Sequence, residues 1–140
     1  MLFRSYHGKG AFLLCRTSNP GGDDLQSQRL SSVPGEPLLY EHVARLAQGP
    51  WNLNGQLGLV VGATYPTEIE RVRAIAPTLP LLIPGVGAQG GRPEALAGLG
   101  GAGRGQLLPA VSREVLRAGP DVAAVRAAGE RLRDAVAYLA

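Results

Sequence analysis

The stretch Leu79-Pro80-Leu81-Leu82-Ile83-Pro84-Gly85-Val86-Gly87-Ala88-Gln89-Gly90-Gly91 decides how this chain is read. Its first five residues form a short apolar run, the pattern of a strand buried in a parallel sheet. Four glycines then fall within the eight residues Pro84 to Gly91, leaving little side chain to shield the backbone. Successive N–H groups in such a loop can turn outward and surround an anion, as in phosphate-binding nests and at helix N-termini. Gln89, the one polar side chain of the loop, is placed to hydrogen-bond whatever carries that anion. Taken alone, the loop serves equally as a flexible strand-to-helix turn, and three other strand ends decide between the two.

Upstream, Leu57-Gly58-Leu59-Val60-Val61-Gly62-Ala63 is a second strand pattern, ending at Thr64-Tyr65-Pro66, where a helix begins. Pro66 suits the first helical turn, while Thr67 with Glu70 offers a capping box as an alternative start. Ile69, Val72 and Ile75 make the buried stripe of that helix. Earlier still, Ala11-Phe12-Leu13-Leu14-Cys15-Arg16 is a first strand, stopped by the turn residues Ser18-Asn19-Pro20-Gly21-Gly22. Asp23 to Pro37 reads as a long polar loop, and Leu38 to Gln48 as a helix with Leu39, Val43 and Leu46 on one face.

Downstream, Pro93 opens a short helix, and Gln106-Leu107-Leu108-Pro109-Ala110-Val111 is a fourth strand whose Pro109 belongs at an edge or bulge. Ser112-Arg113-Glu114-Val115-Leu116 forms a short helix closed by Gly119-Pro120. Asp121 to Ala140 is the clearest helix, N-capped by Asp121, with Val122, Val125, Leu132, Val136 and Leu139 as its apolar stripe. Four strands alternating with helices make an α/β chain with a parallel sheet. Its ligand site is expected at the C-terminal strand ends.

At 140 residues the chain is read as a single domain, 1–140. It is short for a complete (β/α)8 barrel, which takes about 250 residues. No stretch approaches a membrane span, and Met1 to His7 lacks the apolar core of a signal peptide. Cys15 is the only cysteine, which rules out an internal disulfide and fits a reducing cytoplasm; inside an apolar run it reads as a buried core thiol. The net charge of +3 comes almost wholly from scattered arginines, Lys9 being the sole lysine, and aromatic residues make up only 5%. That is not the footprint of a nucleic-acid binder. A modest positive field does suit a phosphorylated small molecule. His7 and His42 have no partner at ligand or catalytic spacing, so both are expected to be solvated, and no metal site is expected.

The four strand ends carry Arg16-Thr17-Ser18-Asn19-Pro20, Gly62-Ala63-Thr64-Tyr65-Pro66, the Gly-rich loop, and Ser112-Arg113. In this order and spacing the chain resembles the C-terminal half of orotidine 5′-phosphate decarboxylase, in the bacterial subfamily whose fifth strand ends in Arg-Thr-Ser-Asn-Pro. The resemblance implies the C-terminal half, strands five to eight, of a (β/α)8 TIM barrel. It implies the last step of de novo UMP synthesis, loss of CO2 from orotidine 5′-phosphate, with no metal or organic cofactor. Ser18 would then hydrogen-bond the pyrimidine edge, and Pro84 would line the pocket near the base. Gln89 would bridge base and phosphate, and Arg113 would pair with the phosphate. Gly85, Gly87, Gly90 and Gly91 would let backbone amides approach it. Ser18 is also a reasonable turn residue, and Arg113 is also read as an exposed helix-start arginine. Thr64-Tyr65-Pro66 is expected to start a helix and do no chemistry. Pro109-Ala110-Val111 departs from the small polar residues that the family carries before its Ser-Arg pair.

The family's decarboxylation centre is an Asp-x-Lys-x-x-Asp segment, with a further Lys and Asp before it. Nothing of that form occurs here: the first carboxylates after Lys9 are Asp23 and Asp24. The expectation is that the catalytic half lies upstream of residue 1, or that Met1 is not the biological start, and that this chain alone is almost inactive. A homodimer would not restore the missing groups. A half-barrel leaves two open strand edges and an uncovered apolar face. It is therefore expected to form a homo-oligomer such as a dimer, or to pair with an N-terminal half. Two other readings stay open: a non-catalytic nucleotide-binding half-barrel, and an unrelated phosphate-binding domain of the flavodoxin type.

Overall fold

Four short parallel strands stand side by side in chain order. The computed structural model describes residues 8–87, 89–99 and 106–139. Strand β1 (Ala11–Arg16) leads to α1 (Gly22–Leu25) and α2 (Leu39–Gln48). Then come β2 (Leu57–Val61), α3 (Pro66–Ile75), β3 (Leu81–Pro84) and a 3-10 turn at Pro93–Leu96. Strand β4 (Leu107–Ala110) is followed by α4 (Arg113–Leu116), α5 (Val122–Ala135) and a final 3-10 turn, Ala137–Leu139.

The strand order β1-β2-β3-β4 has no reversal. A doubly wound sheet of the flavodoxin type changes direction after its first strands, so that reading falls. The helices also cover one face only. Leu57, Leu59, Val61, Leu81, Ile83 and Leu107 are buried in one cluster with Tyr40, Ala44 and Ala47 of α2 and Ile69 and Val72 of α3. On the opposite face, Phe12 (43% exposed), Leu14 (69%) and Leu108 (38%) remain open. This is the uncovered apolar face expected of part of a closed barrel. Pro109 pairs with Ile83 on the outermost strand, where a missing N–H costs no ladder bond.

Cys15 is buried, and its Sγ donates to the Tyr40 carbonyl at 3.2 Å. Burial pushes its thiol up to about 12, so it is no nucleophile. Helix α3 starts on Pro66 with no side-chain cap, so the Thr67–Glu70 capping box is not used. In α2 the Glu41 carboxylate accepts from the Leu38 backbone N–H at 3.0 Å.

Three expectations are corrected. The stretch Asp23 to Pro37 is not plain loop: it contains most of α1, and Arg29 bridges Leu38 in antiparallel fashion. The turn Ser18–Gly22 nucleates α1, with Gly22 N–H donating to the Asn19 carbonyl and Gln26 N–H to that of Gly22. Helix α5 stops at Ala135, because Val136 leaves helical geometry at φ −111° and ψ 14°. Asp121 does cap it, accepting from Ala124 N–H at 2.8 Å, but among the described residues only Ala128 of its face is buried and Val122 is 73% exposed. His42 is half-buried on α2 rather than solvated, and His7 lies outside the described residues.

Candidate functional site

Strand β1 is bulged near its end. Leu14 pairs with Val60 but Arg16 pairs with Val61, so one extra residue, Cys15, sits in β1. A bulge of this kind turns the next side chain to the other face. Arg16, which simple alternation places beside Leu14 on the open face, is instead 2% exposed. Its Nη2 donates to Asp23 Oδ1 at 2.6 Å, and its guanidinium lies 4.5 Å from the centre of the Tyr65 ring. Hydrogen bonds from Ser27 and then from Arg16 hold the Asp23 carboxyl below its ordinary value.

Beyond this anchor the chain turns through Thr17 and Ser18 across the end of β2. Gly62 N–H donates to the Arg16 carbonyl at 2.8 Å, and a Cβ on Gly62 would collide with Ser18 Oγ. The Ser18 hydroxyl thus lies against bare backbone. Ala63 N–H donates to the Pro84 carbonyl at 2.9 Å, tying the end of β2 to that of β3.

The Gly-rich loop follows β3 as a tight curl, with positive φ at Gly85 (98°), Gly87 (76°) and Gly90 (91°). A side chain at Gly85 is doubly opposed, since its Cβ would also lie 2.6 Å from Gln89 Oε1. Gly87 N–H donates to the Gly91 carbonyl at 2.8 Å, Gly90 N–H to Gly87 at 2.7 Å, and Gly91 N–H to Gly85 at 3.1 Å. These three amides point into the loop. That differs from the outward-facing nest expected of them, and the reason is that the left-handed glycines bring the loop's own carbonyls within reach. Gly91 is buried, its Cβ position blocked by Ala63 and the Gly85 carbonyl, whereas Gly90 is exposed.

Two adjoining cavities open at these strand ends. The larger, about 540 Å³, is lined by Ser18, Asn19, Thr64, Pro84 and Gln89 among others. The smaller, about 230 Å³, is lined by Pro84, Gly85, Gln89, Ser112 and Arg113. Pro84 and Gln89 belong to both. The four side chains singled out in the sequence, Ser18, Pro84, Gln89 and Arg113, therefore meet around one divided opening. The side chains of Ser18, Gln89 and Arg113 have no hydrogen-bond partner among the described residues, so their donors are free for a ligand. Arg113 is the first residue of α4 and exposed, an arginine at a helix start, yet it faces the smaller cavity. A guanidinium beside a Gly-rich loop matches an oxyanion, and the mixed apolar and polar wall of the larger cavity matches a planar heterocycle.

Sequence reasoning missed Arg16, Asp23, Gln26 and Thr64. Thr64 lines the larger cavity although its segment was expected only to start a helix. Lys9 lies at the other end of β1, lining a separate hollow with Gln56 and Pro80. Six strand residues separate it from Thr17, roughly 20 Å at the usual rise. Among the described residues no group of three His, Cys, Asp or Glu side chains is placed to hold a metal ion, and no helix is long and apolar enough to cross a membrane.

The orotidine 5′-phosphate decarboxylase / HUMPS family model matches residues 3–128. An orotidine 5′-phosphate decarboxylase of Paracidovorax citrulli is 67% identical over 137 residues, covering 96% of this chain and 50% of that protein. One from Albidiferax ferrireducens is 92% identical over 86 residues, 61% of this chain and 30% of that protein. Among solved structures, Leishmania donovani OMP decarboxylase superposes with a TM-score of 0.81 at 43% identity, covering 97% of this chain and 50% of that one. The UMP synthase of the same organism gives 0.80 at 45%, covering 97% of this chain and 29% of that one. The chain spans about half the length of the curated relatives it matches, 50% and 48% for two of them.

Proposed function

The chain belongs to the orotidine 5′-phosphate decarboxylase / HUMPS family, and on that premise we propose that it is the base- and phosphate-binding half of a decarboxylase site acting on orotidine 5′-phosphate. One observation carries this reading: Ser18, Pro84, Gln89 and Arg113, drawn from three different strand ends, meet around two adjoining cavities of about 540 and 230 Å³, with room for a nucleotide across both. Arg113 pairs with the phosphate, and Gln89, on the shared wall, spans from phosphate to base. Ser18 donates to the pyrimidine edge while Pro84 packs on its plane. Gly85 and Gly91 keep the loop low enough for the phosphate to approach, with Gly87 and Gly90 shaping its curl.

Loss of CO2 leaves an electron pair on the ring carbon, and a positioned acid must deliver a proton there. In this family reading a lysine does so, and among the described residues no lysine stands at these strand ends. Lys9 is at the far end of the sheet, and no Asp-x-Lys-x-x-Asp occurs in the 140 residues. The proton donor and the carboxylates that oppose the substrate's own carboxylate come from elsewhere. These 140 residues form one half-barrel domain that acts in the cytoplasm without a cofactor. Its open edges at β1 and β4 and its bare apolar face are covered by N-terminal βα units or by a second copy, as a homodimer.

The test is release of CO2 from orotidine 5′-phosphate by this chain, alone and after refolding with the N-terminal half of a related enzyme. The expected result is turnover only in the mixture. Turnover by the chain alone would overturn the assignment of the proton donor to another segment. Silence in both from a folded chain would favour a binding function without catalysis.

A further inference from the structure

Gln26 lies outside both cavities, yet it holds the backbone on which Ser18 rides. Its main chain is fixed at two points: Gln26 N–H donates to the Gly22 carbonyl at 2.8 Å, and Tyr40 N–H donates to the Gln26 carbonyl at 3.1 Å. The side chain then reaches back to the end of β1. Gln26 Oε1 accepts from Thr17 N–H at 2.8 Å, and Gln26 Nε2 donates to Thr17 Oγ1 at 2.9 Å. Arg16 Nη1 approaches the same Oε1 at 3.4 Å while its Nη2 is held by Asp23. Thr17 is therefore gripped through both its amide and its hydroxyl by one side chain anchored on α1 and α2. The next residue is Ser18, seated over the α-carbon of Gly62.

We propose that Gln26 is a positioning residue: by clamping Thr17 it sets the Ser18 hydroxyl at the height where it meets the edge of the bound base. This rests on the reading of the larger cavity as a base site. Gln26 touches no ligand in this arrangement. Its effect is confined to the β1 end of the site, because Gln89 and Arg113 stand on other strand ends and share no hydrogen bond with it. The phosphate side is thus independent of the clamp. A hydrogen bond released from its geometry forfeits its net worth, which is roughly a factor of ten in affinity.

The test compares binding of uridine 5′-monophosphate with that of ribose 5-phosphate by titration calorimetry on the full chain, with the ratio of the two affinities as readout. Gln26→Ala is expected to lower that ratio about tenfold while leaving ribose 5-phosphate within about twofold of the parent. Gln26→Glu keeps an acceptor for both Thr17 groups and adds a charge facing Arg16, so it restores the ratio. Thr17→Val removes the hydroxyl leg and keeps the amide bond, although Thr17 also lines the larger cavity; it gives an intermediate loss even if Gln26→Ala fails to fold. An unchanged ratio in Gln26→Ala, or in Thr17→Val where Gln26→Ala does not fold, overturns the proposal. Equal loss of both ligands also overturns it, since a merely structural role would weaken the two alike. Absence of any preference for the nucleotide in the parent chain would instead overturn the base-site reading itself, and the clamp's role with it.

Discussion

The hydroxyl of Ser18 rests over the α-carbon of Gly62, on ground that any other residue at position 62 would occupy. The Cβ of an alanine there would meet Oγ, Cβ and the backbone nitrogen of Ser18 together, so no single rotamer change relieves it. Gly62→Ala is expected to push Ser18 outward and to lower affinity for uridine 5′-monophosphate about tenfold, at a stability cost of about 1–3 kcal/mol. Calorimetric titration and urea unfolding check the two parts separately. Parent-like affinity would show that the height of Ser18 does not matter.

Arg113 faces the smaller cavity with its guanidinium unengaged by any carboxylate among the described residues. A charge-assisted hydrogen bond to phosphate contributes about 1.5–3 kcal/mol, so Arg113→Ala is expected to weaken ribose 5-phosphate binding roughly 10- to 100-fold. Arg113→Lys keeps the charge and loses the two-pronged geometry, and should fall between. Because the side chain is exposed and makes no hydrogen bond or ion pair among the described residues, urea midpoints of the three proteins should coincide.

The parallel sheet was legible because buried parallel strands are written as plain apolar runs, and three of the four here are such runs. Pro109 located the edge strand for the same reason that proline is excluded from central ones. What could not be read was the destination of Arg16. Period-two alternation assigns it the face of Leu14, and only the register shift at Cys15 sends it to the covered face, where it anchors the turn bearing Ser18. Gln26 was hidden likewise, as one polar residue in a polar stretch, since its partner lies nine positions away across a turn. The α5 stripe predicted a helix correctly but not its burial, which depends on what stands opposite. The Gly-rich loop showed where the chain curls, whereas the direction of its amides is set by φ values that composition does not encode.

The contact between Asp23 and Arg16 makes stability depend on pH. The Asp23 carboxyl titrates below its ordinary 3.8, through the hydrogen bond from Ser27 first and the Arg16 guanidinium second. A carboxyl lowered in the folded state contributes stability above its unfolded value and loses it as pH falls through the folded one. The melting temperature of the parent should thus exceed that of Asp23→Asn at pH 7, and the gap should close as pH drops below about 4. A gap independent of pH would mean that the contact acts by shape and not by charge. Asp23 is largely exposed, so the gap at neutral pH is expected to be small.

Arg73 ties two strand starts together at the opposite end of the sheet. It is 9% exposed, and among the described residues no carboxylate pairs with it. Its guanidinium instead donates to the carbonyls of Leu99 at 3.0 Å, Leu79 at 2.8 Å and Gln106 at 2.8 Å, with Ala76 and Pro77 at 3.2 and 3.4 Å. Leu79 precedes β3 and Gln106 precedes β4, so one side chain fixes the start of both strands. Burial lowers its pKa, but guanidinium stays charged far above neutrality. Arg73→Met keeps most of the volume and leaves several buried carbonyls unpaired, at about 1–3 kcal/mol each. The expected loss is on the order of 3 kcal/mol or more, visible as a lower urea midpoint. Arg73→Lys reaches fewer of these oxygens and should recover part of it. Since β3 and β4 are four residues long, their starts lie roughly 13 Å from the ligand end, and ribose 5-phosphate affinity of whatever fraction stays folded should match the parent. Lost affinity in a fully folded Arg73→Met would show instead that the β3–β4 register reaches the Gly-rich loop.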